Sequence, residues 1–180
     1  MESISKLFNV VILVFGIFFV ATYLGAAQED RVLEEHVTTI TTKFADTVRK
    51  QGKITKKMYN DMVSELDALG ILFHIEMVYT KDVITPVTAG VTTTTQESYY
   101  TSEIIAGIFN GVDSGGAYID GKADGEVRFN QDDTFYVHVS NRSDTLRQRF
   151  AAFLPFVNGD GYELSARAGG LVRDENWSDS

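Results

Sequence analysis

The chain has 180 residues, a formal net charge of −9 and no cysteine. Its excess of carboxylates would repel nucleic-acid phosphates and anionic lipid headgroups, so the charge argues against both as partners. The lack of cysteine excludes a disulfide, a thiolate nucleophile and a cysteine-ligated metal. An exported domain without disulfides is more typical of a bacterial surface than of a eukaryotic secretory pathway.

The first predicted element is an apolar helix formed by Leu7–Ala27, LFNVVILVFGIFFVATYLGAA. This segment has no charged residue, and about 20 helical residues at about 1.5 Å each span the roughly 30 Å hydrocarbon core of a bilayer. Residues 1–27 are therefore predicted to form a transmembrane anchor. The roughly 150 residues beyond the apolar run are enough for one domain, predicted as residues 28–180. Lys6 and the terminal amine favour a cytoplasmic N-terminus and an extracytoplasmic C-terminal domain.

The same segment also has features of a secretion signal, and this alternative stays open. Gly25, Ala26 and Ala27 form the small-residue pattern that signal peptidases cleave. Apolar regions of signals usually have about 7–15 residues, however, and this run is longer. The helical pattern also continues past the cleavage point, through a stripe of apolar residues spaced by three or four: Leu33, Val37, Ile40, Phe44 and Val48. Retention as an anchor is therefore the favoured interpretation.

A second helix and a strand are predicted next. Thr55 is a suitable N-cap and Gly70 a suitable C-terminal stop for a helix with one apolar face between them. Residues 71–80, ILFHIEMVYT, alternate with the period of a strand. The Thr-rich residues 81–102 are β-branched enough for a strand but do not alternate, which predicts an irregular excursion. A short apolar piece, EIIAGIF, follows at 103–109.

The C-terminal third is predicted to contain a loop, strands and one helix. Residues 110–125 are glycine-rich and typical of a loop. The later predicted elements are strands at 126–130 and 133–140, a helix at 145–154 capped by Ser143 or Asp144, and a strand at 162–175 kinked or bulged at Gly169–Gly170. This order predicts an α+β fold with a long N-terminal helix, a second helix, an antiparallel sheet of three to four strands and one more helix.

An apolar N-terminal helix that continues into an amphipathic helix and then a small sheet resembles type IV pilin-like subunits. In that family the apolar half of the helix packs in the filament core and is held in the membrane before assembly. True pilins also have a leader peptide that ends in Gly and an acidic residue at the fifth mature position. These two motifs are not matched here, since Glu2 lies outside the apolar run.

Two short stretches are similar to small single-pass proteins of Gram-positive bacteria that are found with Tad pilus (TadE-like) or conjugative-element components. The first is FADTVRKQGKIT at Phe44–Thr55, which leads into a helix and the motif HIEM. The second is ARAGGLVRDENW at Ala166–Trp177. The resemblance implies an accessory or minor-pilin-like role and no enzymatic activity.

Two groups of polar residues are candidate metal ligands. His74 and Glu76 share one strand face, and with His138 from another strand they would form an open zinc site if the two strands were neighbours. Single histidines on outward strand faces are ordinary, so no transition metal is expected. Residues 120–126, DGKADGE, look like the start of an EF-hand loop, although a solvated acidic loop is the simpler interpretation. The weak calcium candidates are Asp120, Asp124 and Asp132.

The predicted function is structural, without catalytic residues or cofactor. We expect a membrane-anchored structural or minor-pilin-like subunit of a surface filament, or of an envelope-spanning secretion or conjugation apparatus. It would assemble through its N-terminal helix with copies of itself or with other pilin-like or apparatus subunits, using an apolar interface: Phe15, Phe18, Phe19, Leu33, Val37 and Ile40. The alternatives are a monomeric anchored binding or accessory module of the bacterial surface and a secreted hydrolase released by cleavage at Ala27.

The part of this interface between Leu33 and Ile40 is expected to be exposed in a monomer. A sheet that covered only the far end of the helix would leave these residues open to a partner subunit.

Overall fold

The N-terminal helix is the longest element of the fold. The computed structural model describes residues 2–88, 91–110, 125–145, 148–149 and 163–173. Helix α1 (Glu2–Gln51) is continuous over 50 residues, about 75 Å at about 1.5 Å per residue. It ends at Gly52, whose φ of 61° lies in the left-handed region that glycine adopts without a side-chain clash. The predicted division after residue 27 therefore falls inside a single helix.

The second helix follows a short strand, β1 (Lys53–Thr55). Helix α2 (Lys56–Asp67) begins at the predicted N-cap, where the Thr55 side chain accepts a hydrogen bond from the Met58 backbone N–H. Gly70, with a φ of 73°, follows the helix as expected. Helix α3 (Thr101–Asn110) contains the short apolar piece for which no secondary structure was predicted.

Six strands form two antiparallel sheets in the described part of the chain. The larger sheet has the order β3–β2–β5–β6, formed by β2 (Phe73–Thr88), β3 (Val91–Tyr100), β5 (Thr134–Asn141) and β6 (Ser165–Leu171). The smaller sheet pairs β1 with β4 (Glu126–Arg128). The α+β class and the four-stranded antiparallel sheet are thus confirmed. The two strands predicted on either side of residues 131–133 lie in different sheets.

The prediction for the Thr-rich segment is wrong. Instead of an irregular excursion, β2 continues to Thr88 and pairs with β3 in an antiparallel hairpin from Val78↔Tyr100 to Thr88↔Val91. Backbone pairing does not need alternating polarity, and β-branched residues favour extended backbone. The segment therefore forms strands even though its sequence lacks the alternation that would have predicted them.

The last strand has no bulge at Gly169–Gly170, although both glycines have positive φ values, 152° and 140°, which depart from ordinary strand backbone. Strand β6 pairs with β5 in unbroken register, with Gly169 opposite Tyr136 and Gly170 opposite Phe135. A Cβ added at Gly169 would lie 2.2 Å from the Phe135 carbonyl oxygen, which no real side chain tolerates. The glycine therefore permits a close approach between strands rather than a bulge.

The cap of the helix predicted at 145–154 is Thr145 rather than Ser143 or Asp144. Thr145 Oγ1 accepts a hydrogen bond from the Gln148 backbone N–H, and the Gln148 side chain accepts one from the Thr145 N–H. This reciprocal pair is a capping box. Most of the predicted helix, residues 146–147 and 150–154, lies outside the described residues.

One face of the four-stranded sheet carries the core. Its centre is a group of aromatic rings, with Phe129 4.4 Å from Tyr79 and 5.4 Å from Phe135 between ring centroids. Phe44 of α1 meets Phe135 edge to face at 6.2 Å. The buried Asp133 carboxylate accepts a hydrogen bond from the Tyr79 hydroxyl. Helix α1 therefore packs directly on the sheet.

Candidate functional site

Residues 6–21 of α1 are exposed on all sides of the helix. Three residues of the predicted assembly interface lie in this segment, and Phe15, Phe18 and Phe19 are 60%, 66% and 41% exposed. Within the described residues, α1 is the one helix long and apolar enough to cross a membrane, a test of length and composition that a signal sequence also passes. Helix α1 is thus a candidate membrane anchor.

The second half of α1 is covered by the rest of the chain. Ala26 is 6% exposed, and the side chains of Val37 and Val48 have no exposure. Thr41 on the same stripe is buried too, and its hydroxyl donates to the Val37 carbonyl oxygen at 2.7 Å, so its polar group is satisfied within the helix. The covered stripe therefore begins in the last turn of the apolar run.

The expectation that Leu33, Val37 and Ile40 are exposed is wrong for Val37. Leu33 and Ile40 are half-buried against the same core. The physical reason is the direction of the strands, which run alongside α1 rather than capping its far end. Eight residues of β5 at about 3.3 Å each extend about 26 Å, which matches about 17 residues of helix. The sheet therefore reaches much further back along α1 than expected.

Contacts at the two ends of the covered half of α1 establish this alignment. At one end, the Thr145 hydroxyl donates to the buried Asp30 carboxylate at 3.1 Å. At the other end, Arg49 Nε donates to the Leu171 carbonyl oxygen at 2.9 Å. The end of the domain at Asp30, next to the apolar half of α1, is called the base below.

The β2–β3 hairpin extends beyond the end opposite the base. Strand β2 pairs with β5 only from Phe73 to Thr80, and Thr80 is opposite Thr134, which is opposite Leu171. The parts of β2 and β3 that lie beyond the Thr80–Thr134 pair, residues 81–88 and 91–97, are called the arm below. Among the described residues, the arm strands pair only with each other, over about 26 Å at about 3.3 Å per residue.

The face of the sheet opposite α1 is solvent-exposed and contains the three predicted zinc-ligand candidates. Strands β2 and β5 are neighbours, so these residues do come together. Glu76 Oε1 lies 3.3 Å from His74 Nε2, and Glu76 Oε2 lies 3.5 Å from His138 Nδ1. No group of three or more such side chains in the described part of the chain is arranged to hold a metal ion. The cluster is an exposed set of contacts that become ion pairs when the histidines are protonated.

Two further features of this open face were missed by the sequence analysis. Arg167 of β6 lies over the Tyr136 ring at 5.1 Å, a cation–π contact. Tyr100 of β3 lies opposite Val78 on the same face and is 60% exposed. The alternation of residues 134–141 was a usable signal for Tyr136. The positions of Arg167 and Tyr100 depend on strand pairing, which the sequence does not show.

The calcium candidates divide between described and undescribed residues. Asp120 and Asp124 lie outside the described residues. Asp132 is exposed with a φ of 70°, and its backbone N–H donates to the Val172 carbonyl oxygen. Its position is thus set by the turn before β5.

A charged cluster joins the two strands of the small sheet. Glu126 lies 3.2 Å from Lys53 of the paired strand and 2.6 Å from Arg128. Burial by itself would raise the pKa of Glu126, but the hydrogen bonds from Arg128 and Lys53 outweigh it and hold the pKa below its ordinary value. Glu126 is therefore a structural carboxylate that links β1 to β4.

Comparisons with protein-family models, with characterised proteins and with solved structures found no match to this chain. Its functional assignment therefore depends on the geometry described above.

Proposed function

We propose that the protein is a membrane-anchored structural subunit that assembles with other subunits through the apolar half of α1. The observation that carries this proposal is the division of one continuous helix into an exposed apolar half and a domain-covered half. Because the helix is rigid and continuous, the position of its apolar half fixes the position of the domain without a flexible linker. This architecture suits a subunit whose domain must be held in a defined orientation, as in a surface filament or an envelope-spanning apparatus.

The position of the domain on α1 supports retention of the apolar segment. Ala26 is almost fully buried, and Asp30 is hydrogen-bonded to Thr145 within the next turn. The helix is continuous through Ala27, the predicted cleavage point. The cut would therefore fall within a regular helix that is already in contact with the domain.

The arm provides a second, independent support for assembly. In the described part of the chain, its outer strand edges have no partner strand. Two-stranded ribbons are only marginally stable in water, and unpaired strand edges are ready to pair with another chain. The arm therefore has the properties of a contact between subunits at the end away from the base.

Disulfide crosslinking in native membranes tests assembly through α1. Because the chain has no cysteine, a single introduced cysteine reports one position. We expect Phe15→Cys to form a crosslinked dimer on oxidation, because Phe15 belongs to the proposed aromatic interface. Leu13→Cys is the matched control, since Leu13 is equally exposed at 61%. It lies at nearly the same depth but about 200° around the helix.

Two outcomes would overturn the proposal. Equal absence of crosslinks at both positions, with a monomer in detergent extracts, would mean that the apolar half of α1 is an anchor without an assembly role. Intact-mass analysis of the membrane-extracted protein provides the other test. A mature chain that begins at Gln28 would remove the anchor and the proposal together.

The monomeric anchored binding module is the second candidate function, and the open sheet face favours it. On this face Glu76 lies between two histidines, and the Tyr136–Arg167 pair lies close by on β5 and β6. Together they form a surface with both charged and aromatic groups that a partner could bind. A monomer in the crosslinking experiment, combined with loss of partner binding in Tyr136→Ala, would favour this function.

A further inference from the structure

The loop between α2 and β2 exposes apolar side chains at the base of the domain. Its sequence is Leu-Gly-Ile-Leu, residues 69–72. Leu72 is 65% exposed, close to the exposure of the leucines in the apolar half of α1, and Leu69 and Ile71 are half-buried. An exposed leucine is ordinary by itself, so its location decides whether it has a role.

The loop lies next to the point where α1 leaves its apolar segment. Leu69, Gly70 and Ile71 line a cavity of about 190 Å³ together with Asp30 and Leu33 of α1. Leu72 is fixed beside this cavity by two hydrogen bonds. Its N–H donates to Ser143 Oγ at 3.2 Å, and its carbonyl oxygen accepts from the Arg142 N–H at 2.7 Å.

The length of the apolar run places this level at a bilayer surface. Residues 7–27 extend about 31 Å at about 1.5 Å per residue, which fills the roughly 30 Å hydrocarbon core. Asp30 then lies about 5 Å beyond the edge of the core, within a headgroup layer of about 5–8 Å, and Leu33 lies about 9 Å beyond the edge, just outside that layer. The burial of Ala26 shows that the body of the protein reaches down to the last turn of the apolar run.

The charges around the loop fit a lipid headgroup layer. Arg31, Arg142 and Arg149 are exposed near the base, and Glu29 and Asp144 are exposed beside them. Guanidinium groups bind lipid phosphates, and carboxylates face the ammonium groups of zwitterionic lipids. An apolar residue surrounded by both kinds of charge is suited to the interface rather than to the hydrocarbon core.

We propose that the loop of residues 69–72 inserts Leu72 into the headgroup layer of the same bilayer that α1 spans. This inference rests on the anchoring part of the proposed function and adds a second lipid contact to it. A single membrane-spanning helix can rotate about its axis and tilt, and a domain packed on that helix moves with it. A second contact at the base would set one orientation of the sheet and of the arm relative to the membrane plane.

Spin labelling of the full chain in phosphatidylcholine vesicles tests the inference. Single nitroxide labels are placed at Leu72→Cys, at Leu171→Cys and at Phe18→Cys. Leu171 is the matched control, because it is a strand leucine with 54% exposure at the end away from the base. Collision with oxygen, which concentrates in lipid, is compared with collision with a water-soluble nickel chelate. We expect the oxygen-to-nickel accessibility ratio at residue 72 to be several-fold higher than at residue 171.

The Phe18 label separates failure of this inference from failure of the anchor. If residue 18 is lipid-accessible but residue 72 behaves like residue 171, the lipid contact is overturned while the anchor stands. If residue 18 is itself accessible to the nickel chelate, the anchor is overturned as well. Protection of residue 72 from both reagents would replace the lipid contact by a contact with another protein subunit. Near-ultraviolet circular dichroism of each labelled variant confirms that the domain is folded.

Discussion

The apolar residues in the two halves of α1 have opposite surroundings. Val20 in the first half is 60% exposed, whereas Val37 in the second half has no exposure. Even within the second half, Val32 on the outer face is 54% exposed. Apolar composition therefore does not decide burial. The apolar stripe of the second half packs against the sheet of the same chain. The apolar surface of the first half can be buried only by lipid or by another chain.

The energetic consequence differs in the same way. Burying a valine, leucine or phenylalanine side chain contributes about 1.5–3 kcal/mol, so the covered stripe is a major part of what holds the domain on α1. The first half would forgo a similar amount at every turn if it stayed in water. This asymmetry is the physical argument for a membrane or an assembly around residues 7–24.

The largest expected effect comes from placing a charge on the covered stripe. Val37→Lys should destabilise the domain by about 3–5 kcal/mol, because the ammonium group would be buried without a partner. Urea unfolding of the full chain in detergent micelles, followed by near-ultraviolet circular dichroism, measures the change.

Val32→Lys is the control for this substitution, since it places the same charge on the same helix. Its effect should stay within about 0.5 kcal/mol because Val32 faces outward. Equal stability of the two variants would contradict the burial of Val37 and would mean that the second half of α1 is not packed on the sheet.

A smaller effect is expected where the covered half begins. Asp30→Ala should cost about 2 kcal/mol, because it leaves the buried Thr145 hydroxyl without its acceptor. Glu29→Ala, one residue earlier and exposed, should be nearly neutral. The same urea unfolding measures both variants, and a neutral Asp30→Ala would show that the domain meets α1 only further along the helix.

The smallest effect concerns Glu126 of β4, the strand that pairs with β1. The pKa of Glu126 is lower in the folded state than its ordinary value of about 4.5. Its contribution is therefore complete above about pH 4.5 and is lost as the pH falls through the lower folded-state pKa. Glu126→Gln should cost about 1 kcal/mol at pH 7, and the difference from the unsubstituted chain should shrink below pH 4.5. A difference that stays constant from pH 7 to pH 3 would contradict the ion-pair role.

Short-range signals were predicted well because a few neighbouring residues carry them. Thr55 and Gly70 bound α2 as expected, and the strand predicted at 133–140 is β5. The Thr-rich hairpin and α3 were not predicted. A hairpin is stabilised by backbone pairing across the turn, and α3 was a short apolar piece that periodicity does not assign to helix or strand.

The candidate site was predicted only in part for the same reason. The exposure of Phe15, Phe18 and Phe19 follows from a segment that has no polar face. The burial of Val37 follows from a sheet that runs alongside the helix, which no pattern within α1 reveals. His74, Glu76 and His138 were named together, but their proximity became a fact only with the pairing of β2 and β5.

The sequence by itself determined the length of the apolar run, the helical register across Ala27 and the fold class, because these depend on composition and on periods of two or 3.6 residues. Only the tertiary structure decided which apolar residues are covered, where the base of the domain lies and which side chains share the open face. Burial is a property of two surfaces in contact. The second surface comes from other elements of the chain, and at two positions of α1 it is more than 90 residues away: Thr145 at Asp30 and Leu171 at Arg49.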